Sequence, residues 1–342
     1  MIETVADASD VIGNDTFSKL LAVCTAQGGD AATVEAAASH ARSWGASLSL
    51  MVAVEPPPEI DRIAAATGVA AAEIEARLIR DHHDRAVGLA EQFAADLDPT
   101  VAVRLGKPFL EVIRYVVAGD VDLVIKAAEE LSGIHHYFFT STDQHLLRKC
   151  PCPVWLRLDH DGSRPIRTIL AAVDIGQSLS GEPETIASLN RNILSVATRF
   201  GAAEGADVHV LHVWDAPSEG LVRMWSGGPD PDKAAEDYVS DVRTGHILAL
   251  DRLIGQANAA GGPASGRAVQ FLPRLERGDA RSVVPQQVQA LEADLLVMGT
   301  IARTGVPGFF IGNTAEDVLN SVDCSVVTVK PSDYVSPVIA GG

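Results

Sequence analysis

DLLVMGTIARTGVPGFFIGNTAEDVLNSVDCSVVTVKP, from Asp294 to Pro331, is the stretch that decides the fold. It opens on an apolar run, Leu295 to Met298, whose length and bulk suit a fully buried strand of a parallel sheet. The run ends in Gly299, and a loop of small residues with Gly305, Gly308 and Gly312 follows. Asn313 and Thr314 are good N-cap types, and Glu316 and Asp317 just beyond them mark the first turn of a helix. Backbone N–H groups converge at a strand–glycine loop–helix turn and the helix dipole adds partial positive charge, a geometry that suits phosphate or another anion. Glycine matters there because a Cβ blocks close approach. The same glycines equally serve an ordinary βα connection, and from this stretch alone both readings stand.

The spacing resembles the C-terminal signature of universal stress proteins: Gly-x-x-Gly, nine residues, Gly-Ser/Thr, then a helix and a short last strand. Gly299 falls on the first glycine and Gly312 on the third. Ala302 stands where the second glycine belongs, Asn313 where nucleotide-binding members carry Ser or Thr, and Arg303, Thr304 and Gly305 continue the match. The words GNTAE (312–316) and DCSVVTVKP (323–331) are similar to the tandem, E-type branch. In that family the loop holds the ribose and triphosphate of ATP in some members and nothing in others.

The 342 residues suffice for two domains of ordinary size, and 47% hydrophobic with 21% charged residues describes a globular chain with ample core. A formal charge of −18 argues against nucleic acid and anionic membrane surfaces as partners, since both repel it. The polar, acidic start MIETVADASDVIGNDTF lacks the basic and apolar parts of a secretory signal, and no apolar run approaches a membrane span; a cytoplasmic protein is expected. Cys24, Cys150, Cys152 and Cys324 form no CxxC pair and read as reduced thiols, Cys150 and Cys152 being too close for an easy bridge.

An internal repeat organises the chain. LLAV (20–23) and ILAAV (169–173) are first strands, and the second strands that follow Gly45 and Gly205 set an offset of 160. From Gly106 and Gly278 onward the offset is 172, which lays Asp122 over Asp294 and Cys152 over Cys324. Two copies of strand and helix in alternation predict α/β domains with parallel sheets, with the boundary in the polar stretch 159–165. Between the second strand and the Gly106 turn, 59–96 reads as helical, with Ile63, Ile74, Leu78, Val87, Leu89 and Phe93 on its apolar face. In the second copy 220–228 reads as a loop before a helix over 234–260, with Met224 and Trp225 either lining a pocket or anchoring that loop to the core.

The resemblance implies two tandem universal-stress-protein domains, 18–158 and 166–331, each a Rossmann-like parallel five-stranded sheet flanked by helices, packed as an intramolecular pseudo-dimer. It implies that 154–157 pair with 326–329 about the pseudo-two-fold axis; the halves either suffice or form a further homodimer. The copies diverge where the family binds its ligand. Ala127 replaces Gly299, Thr140 replaces Gly312, Ser141 replaces Asn313, and Cys24 and Thr25 stand in the region of Asp174, so the first copy is expected to bind no ATP by the family's route. In the second copy the resemblance places Val173 and Asp174 at the adenine, Val213 on the base, and Met298, Gly299, Gly312, Asn313 and Thr314 along ribose and phosphates, with Ala302 and Arg303 in the loop between. Val173 and Val213 equally read as core strand residues, Asp174 as a turn cap and Asn313 as a helix cap.

Other chemistry finds little support. His82-His83 and His135-His136 are adjacent pairs, His209 and His212 face opposite sides of one strand, and none makes a metal triad by spacing. Asp143, Gln144 and His145 read as helix-start residues rather than catalysts, and no GxSxG elbow occurs. Neither first strand runs into the GxGxxG that a dinucleotide-dependent dehydrogenase requires. Thr300, Arg303, Thr304 and Asn313 bring no carboxylate to hold magnesium, so ATP turnover is expected to be slow or absent. The favoured reading is a stress-response, ligand-sensing protein whose partner is a small molecule, an adenine nucleotide such as ATP. The alternative is a module that has lost ATP and binds another small molecule or a protein.

Overall fold

The computed structural model describes residues 17–25, 29–128, 140–158, 165–175, 184–260, 267–300 and 312–339. The first half contributes β1 (Lys19–Cys24), β2 (Ser47–Val54), β3 (Thr100–Leu105), β4 (Leu123–Ala127) and β5 (Val154–Arg157). The second contributes β6 (Thr168–Val173), β7 (Asp207–Trp214), β8 (Phe271–Arg277), β9 (Leu295–Gly299) and β10 (Ser325–Val329). All ten join one sheet in the order β3-β2-β1-β4-β5-β10-β9-β6-β7-β8, so the halves mirror one another across its middle. Within each half the described pairings are parallel.

Helices cover both faces, which is why the strands read as near-continuous apolar runs. In β1, Leu20, Ala22 and Cys24 face one core while Leu21 and Val23 face the other. The first core is closed by α1 (Asp30–Trp44), α3 (Ala71–Phe93), α6 (Glu184–Glu204) and α8 (Pro231–Ala259). The second is closed by α4 (Pro108–Gly119), α5 (Ser141–Lys149), α9 (Ala280–Ala290) and α10 (Asn313–Leu319).

Equivalent residues of the repeat do equivalent work. Asp122 Oδ2 accepts from Ser18 N at 2.7 Å and Lys19 N at 2.9 Å; Asp294 Oδ2 accepts from Arg167 N at 2.7 Å and Thr168 N at 2.9 Å. Each carboxylate thus ties the start of the fourth strand of its half to the start of the first. Gly45 and Gly205 end α1 and α6 with φ of 66° and 71°, a left-handed cap that glycine adopts at least cost.

The halves meet edge to edge. β5 and β10 pair antiparallel, with Leu156 opposite Val326, Trp155 opposite Val327 and Val154 opposite Thr328, which leaves neither edge open to a foreign strand. Beneath this seam Trp155 packs against Phe200 and His40, with ring centres 5.0 Å apart in both cases, so α1, α6 and β5 share one aromatic cluster. Residues 331–339 link the halves a second time, from α6 to α5. Ser332 Oγ accepts from Asn192 Nδ2 of α6 at 3.2 Å, while Tyr334 Oη and Ser336 Oγ each donate over 2.7 Å to the carbonyls of Arg148 and Lys149.

Residues 59–96 are helical as expected, in two main pieces: α2 (Ile60–Thr67) stops at Gly68, whose φ is 72°, before α3 begins. Three local expectations need correction. The expected loop at 220–228 contains a helix, α7 (Glu219–Trp225), tied down by Arg223, whose guanidinium bonds Glu219 and, at 3.0 Å, Asp232. Met224 and Trp225 do not anchor this segment to the core, since each is 73% exposed. The following helix starts at Pro231, three residues earlier than expected, because Asp230 caps it by accepting from Lys233 N at 3.0 Å.

Candidate functional site

In the second half the chain leaves β6 for β7 on one side and later returns through β9 on the other, which makes the end of β6 a topological switch point. A cavity of about 450 Å³ opens there, at the carboxyl ends of β6, β7 and β9. Val173 and Asp174 reach it from the end of β6, Val213 from β7, Met298 and Gly299 from β9, and Gly312, Asn313 and Thr314 from the start of α10. Eight of the ten residues singled out in the sequence therefore share one wall. Ala302 and Arg303 lie outside the described residues.

The rest of the wall went unread in the sequence. α6 adds Ile186, Leu189, Asn190 and Ile193, and α9 adds Ala280 and Val284. The lining is thus mostly aliphatic, with Asp174, Asn190, Asn313 and Thr314 as its polar members. Asn190 is almost fully buried, accepts from Asp174 N at 3.1 Å through Oδ1 and donates to Asp174 O at 2.9 Å through Nδ2. The 160-residue offset makes Asp30 its counterpart, and Asp30 Oδ1 likewise accepts from Thr25 N at 2.8 Å. That correspondence was the signal available in the sequence.

A Cβ built on Gly299 would lie 2.6 Å from Leu189 Cδ2, so a side chain there forces Leu189, a lining residue of the cavity, to shift. Asn313 does not cap α10: Gly312 holds the N-cap position with no side-chain bond, and Asn313 is the first helical residue, on the cavity wall. Thr300, just after β9, is buried and donates to Leu147 O of α5 at 3.3 Å, and Lys330 Nζ donates to the same carbonyl at 2.5 Å and also meets Thr300 Oγ1. Burial pushes the Lys330 ammonium down to about 7. The end of β9 is thereby tied to the first half of the chain.

The first half is built differently at the matching place. Lys126, 1% exposed, stands in β4 where β9 has Met298, and Asp143, fully buried, stands in α5 where α10 has Ala315. Lys126 Nζ lies 2.9 Å from Asp143 Oδ1, and Nζ also donates to Ala127 O at 2.9 Å. Asp143 Oδ2 accepts from Thr140 N and Oγ1 at 3.1 and 3.0 Å, closing a capping box. Asp143 is a helix-start residue, as expected, and the buried cation opposite it was missed. A charged pair therefore occupies the region that the second half leaves open. Cys24, where the second half has Val173, is buried and its thiol is pushed up to about 12, so it stays protonated.

Among the described residues no cluster of three or more His, Cys, Asp or Glu could hold a metal ion, and no helix is long and apolar enough to cross a membrane.

Comparison with known proteins accords with this architecture. Over 232 residues, 68% of either chain, the sequence is 29% identical to universal stress protein E of Salmonella typhi and, over the same span, to that of Escherichia coli K12. The fold is similar to that of a functionally unknown protein from Pseudomonas aeruginosa PAO1, with a TM-score of 0.63, 23% identity and 94% of both chains covered. It is also similar to a universal stress protein from Archaeoglobus fulgidus, with a TM-score of 0.58, 14% identity, and 93% of this chain and 100% of that one covered. The sequence model of the universal stress protein family matches twice, at residues 17–156 and 166–330, once on each half of the mirrored sheet, and the chain belongs to that family.

Proposed function

We propose that the chain is a stress-response, ligand-sensing protein of the cytoplasm that holds one adenine nucleotide, ATP foremost, in the cavity of its second half. The observation that carries this reading is the convergence of Val173, Asp174, Val213, Met298, Gly299, Gly312, Asn313 and Thr314 from four separate elements onto one cavity. Its volume of about 450 Å³ is within the usual range for small-ligand pockets, and an aliphatic wall with a few polar groups suits a base with its sugar. Residues 18–158 and 166–331 are the two domains, the β5–β10 seam makes them an intramolecular pseudo-dimer, and the Lys126–Asp143 pair keeps the first domain empty. The nucleotide acts as a bound signal, with hydrolysis below about one per second, the low end for dedicated enzymes.

The aliphatic lining from Ile186, Leu189, Ile193 and Val284 favours one other reading, a non-nucleotide small molecule in the same cavity. Mass spectrometry of small molecules released from the purified protein separates the two. An adenine nucleotide, present at close to one per chain, is the expected result; a stoichiometric compound without a purine defeats the nucleotide reading.

A further inference from the structure

The corner formed by Val173 and Asp174 is held from two directions, neither of which touches the phosphate end of the cavity. From α6, Asn190 takes both backbone groups of Asp174, the N–H at 3.1 Å and the carbonyl at 2.9 Å. From β7, His212 Nδ1 lies 3.3 Å from Val173 O, the residue opposite it in the β6–β7 register. His212 Nε2 lies 3.0 Å from Nδ1 of His246, which comes down from α8. All three side chains are buried, and Trp214 lies against His246 with the rings tilted and their centres 5.7 Å apart.

The hydrogen bonds fix the protons. A carbonyl oxygen only accepts, so His212 Nδ1 carries a hydrogen. An uncharged His212 ring then has a bare Nε2, which accepts from Nδ1–H of His246, and an uncharged His246 is left with its lone pair on Nε2. The next proton His246 takes goes to Nε2 without breaking the chain to Val173. Asp174 is the charged group that acts on His246, and His212 is its ring partner.

We propose that Asn190 and the His212–His246 pair are positioning residues that clamp the Val173–Asp174 corner, and that the charge on His246 governs whether the Asp174 carboxylate is available to the amino group of a bound adenine. This rests on the nucleotide reading of the cavity. The clamp belongs to the second half alone: by the 160-residue offset Val52 stands where His212 does, and Asp30, as a carboxylate, lacks the donor with which Asn190 holds the following carbonyl. Burial pushes His246 below the ordinary histidine range while Asp174 pulls it partly back, so near neutral pH the ring is uncharged and the carboxylate is left to the ligand. On acidification the imidazolium pairs with Asp174 and competes with the base.

ATP titrations of the wild type, His246→Gln and Asn190→Ala at about pH 8 and at an acidic pH where nitrogen-15 spectra show His246 charged test this, Gln keeping a donor for His212 without taking a proton. The dissociation constant of the wild type is expected to rise on acidification by about tenfold more than that of His246→Gln, the loss of one hydrogen bond to a charged group. Asn190→Ala should weaken binding at both pH values and leave the ratio as in the wild type. Equal ratios in the wild type and His246→Gln overturn the proposal. Nitrogen-15 spectra of the wild-type histidines give a readout that needs neither ATP nor a variant. His212 and His246 as Nδ1–H tautomers support the clamp, and His212 as the Nε2–H tautomer overturns it. A wild type that binds no ATP at either pH sinks the nucleotide reading and the role of His246 toward adenine, while the tautomers still decide whether the clamp exists.

Discussion

Replacing Lys126 by Met puts into β4 the residue that β9 carries at the same place, and its cost is set by what it leaves behind. Asp143 is fully buried and has Lys126 Nζ at 2.9 Å; without that cation the carboxylate keeps only Thr140 and stays out of water. Removing one partner of a buried pair costs about 3–5 kcal/mol. Asp143→Ala takes the carboxylate from the Lys126 ammonium, which keeps Ala127 O, and also removes the capping box, a further ~1 kcal/mol. The double variant Lys126→Met/Asp143→Ala copies Met298 and Ala315 and leaves no charge without its partner, so it should lose little beyond the cap, about 1 kcal/mol, and thus less than either single variant. Urea denaturation of the four proteins, followed by far-UV circular dichroism with slopes compared to check cooperativity, measures this coupling. Single variants within about 1 kcal/mol of the wild type, or losses that simply add, would show that the pair is not the buried, coupled unit described here.

Three further outcomes follow from particular contacts. Gly299→Ala should destabilise by about 1–3 kcal/mol and weaken ATP binding, because its Cβ, 2.6 Å from Leu189 Cδ2, displaces a side chain that lines the cavity; an unchanged melting temperature together with unchanged binding would contradict that. Burial holds His40 down at about 4. The unfolded chain therefore takes this proton first, near pH ~6.5, and stability falls by about 1.4 kcal/mol per pH unit below that until the folded His40 titrates. Urea midpoints should show this loss in the wild type and lack it in His40→Gln, whereas the raised carboxyl of Glu204, 3.2 Å away, acts in the opposite sense in both proteins. Trp225→Ser should shift stability by less than about 0.5 kcal/mol, since the ring is exposed; a loss above about 2 kcal/mol would mean that it is covered in solution.

The repeat makes the architecture legible in the sequence. Asp122 over Asp294 and Gly45 over Gly205 are backbone devices, a strand-tying carboxylate and a left-handed cap, and such devices recur in sequence because the backbone recurs. The eight cavity residues were legible for a related reason: they sit where strands end and loops begin, and the family pattern marks those ends. What escaped was set by tertiary contact. Lys126 in the run LVIKA was visible as a cation in an apolar strand, but its partner lies on another element across a segment of uninformative sequence. α7 was hidden by its glycines: Gly220 sits in the first turn, where a flexible residue costs little, and the helix is held by Arg223 and by packing on α8 rather than by propensity. Asn190 and His246 lie on helices that show no motif: Asn190 is marked in the sequence only by its counterpart Asp30, and His246 only by its contact with His212 in the fold.

Isothermal calorimetry with ATP at up to millimolar concentration addresses the central claim most directly. The account predicts one ATP per chain, lost in Asp174→Ala, which removes the acceptor for the adenine amine, and in Gly312→Val, which puts a branched side chain on the cavity wall. Thr25→Ala, the first-half counterpart of Asp174→Ala, should change nothing. Two ATP per chain, or no heat from the wild-type protein, would contradict a single nucleotide site in the second half.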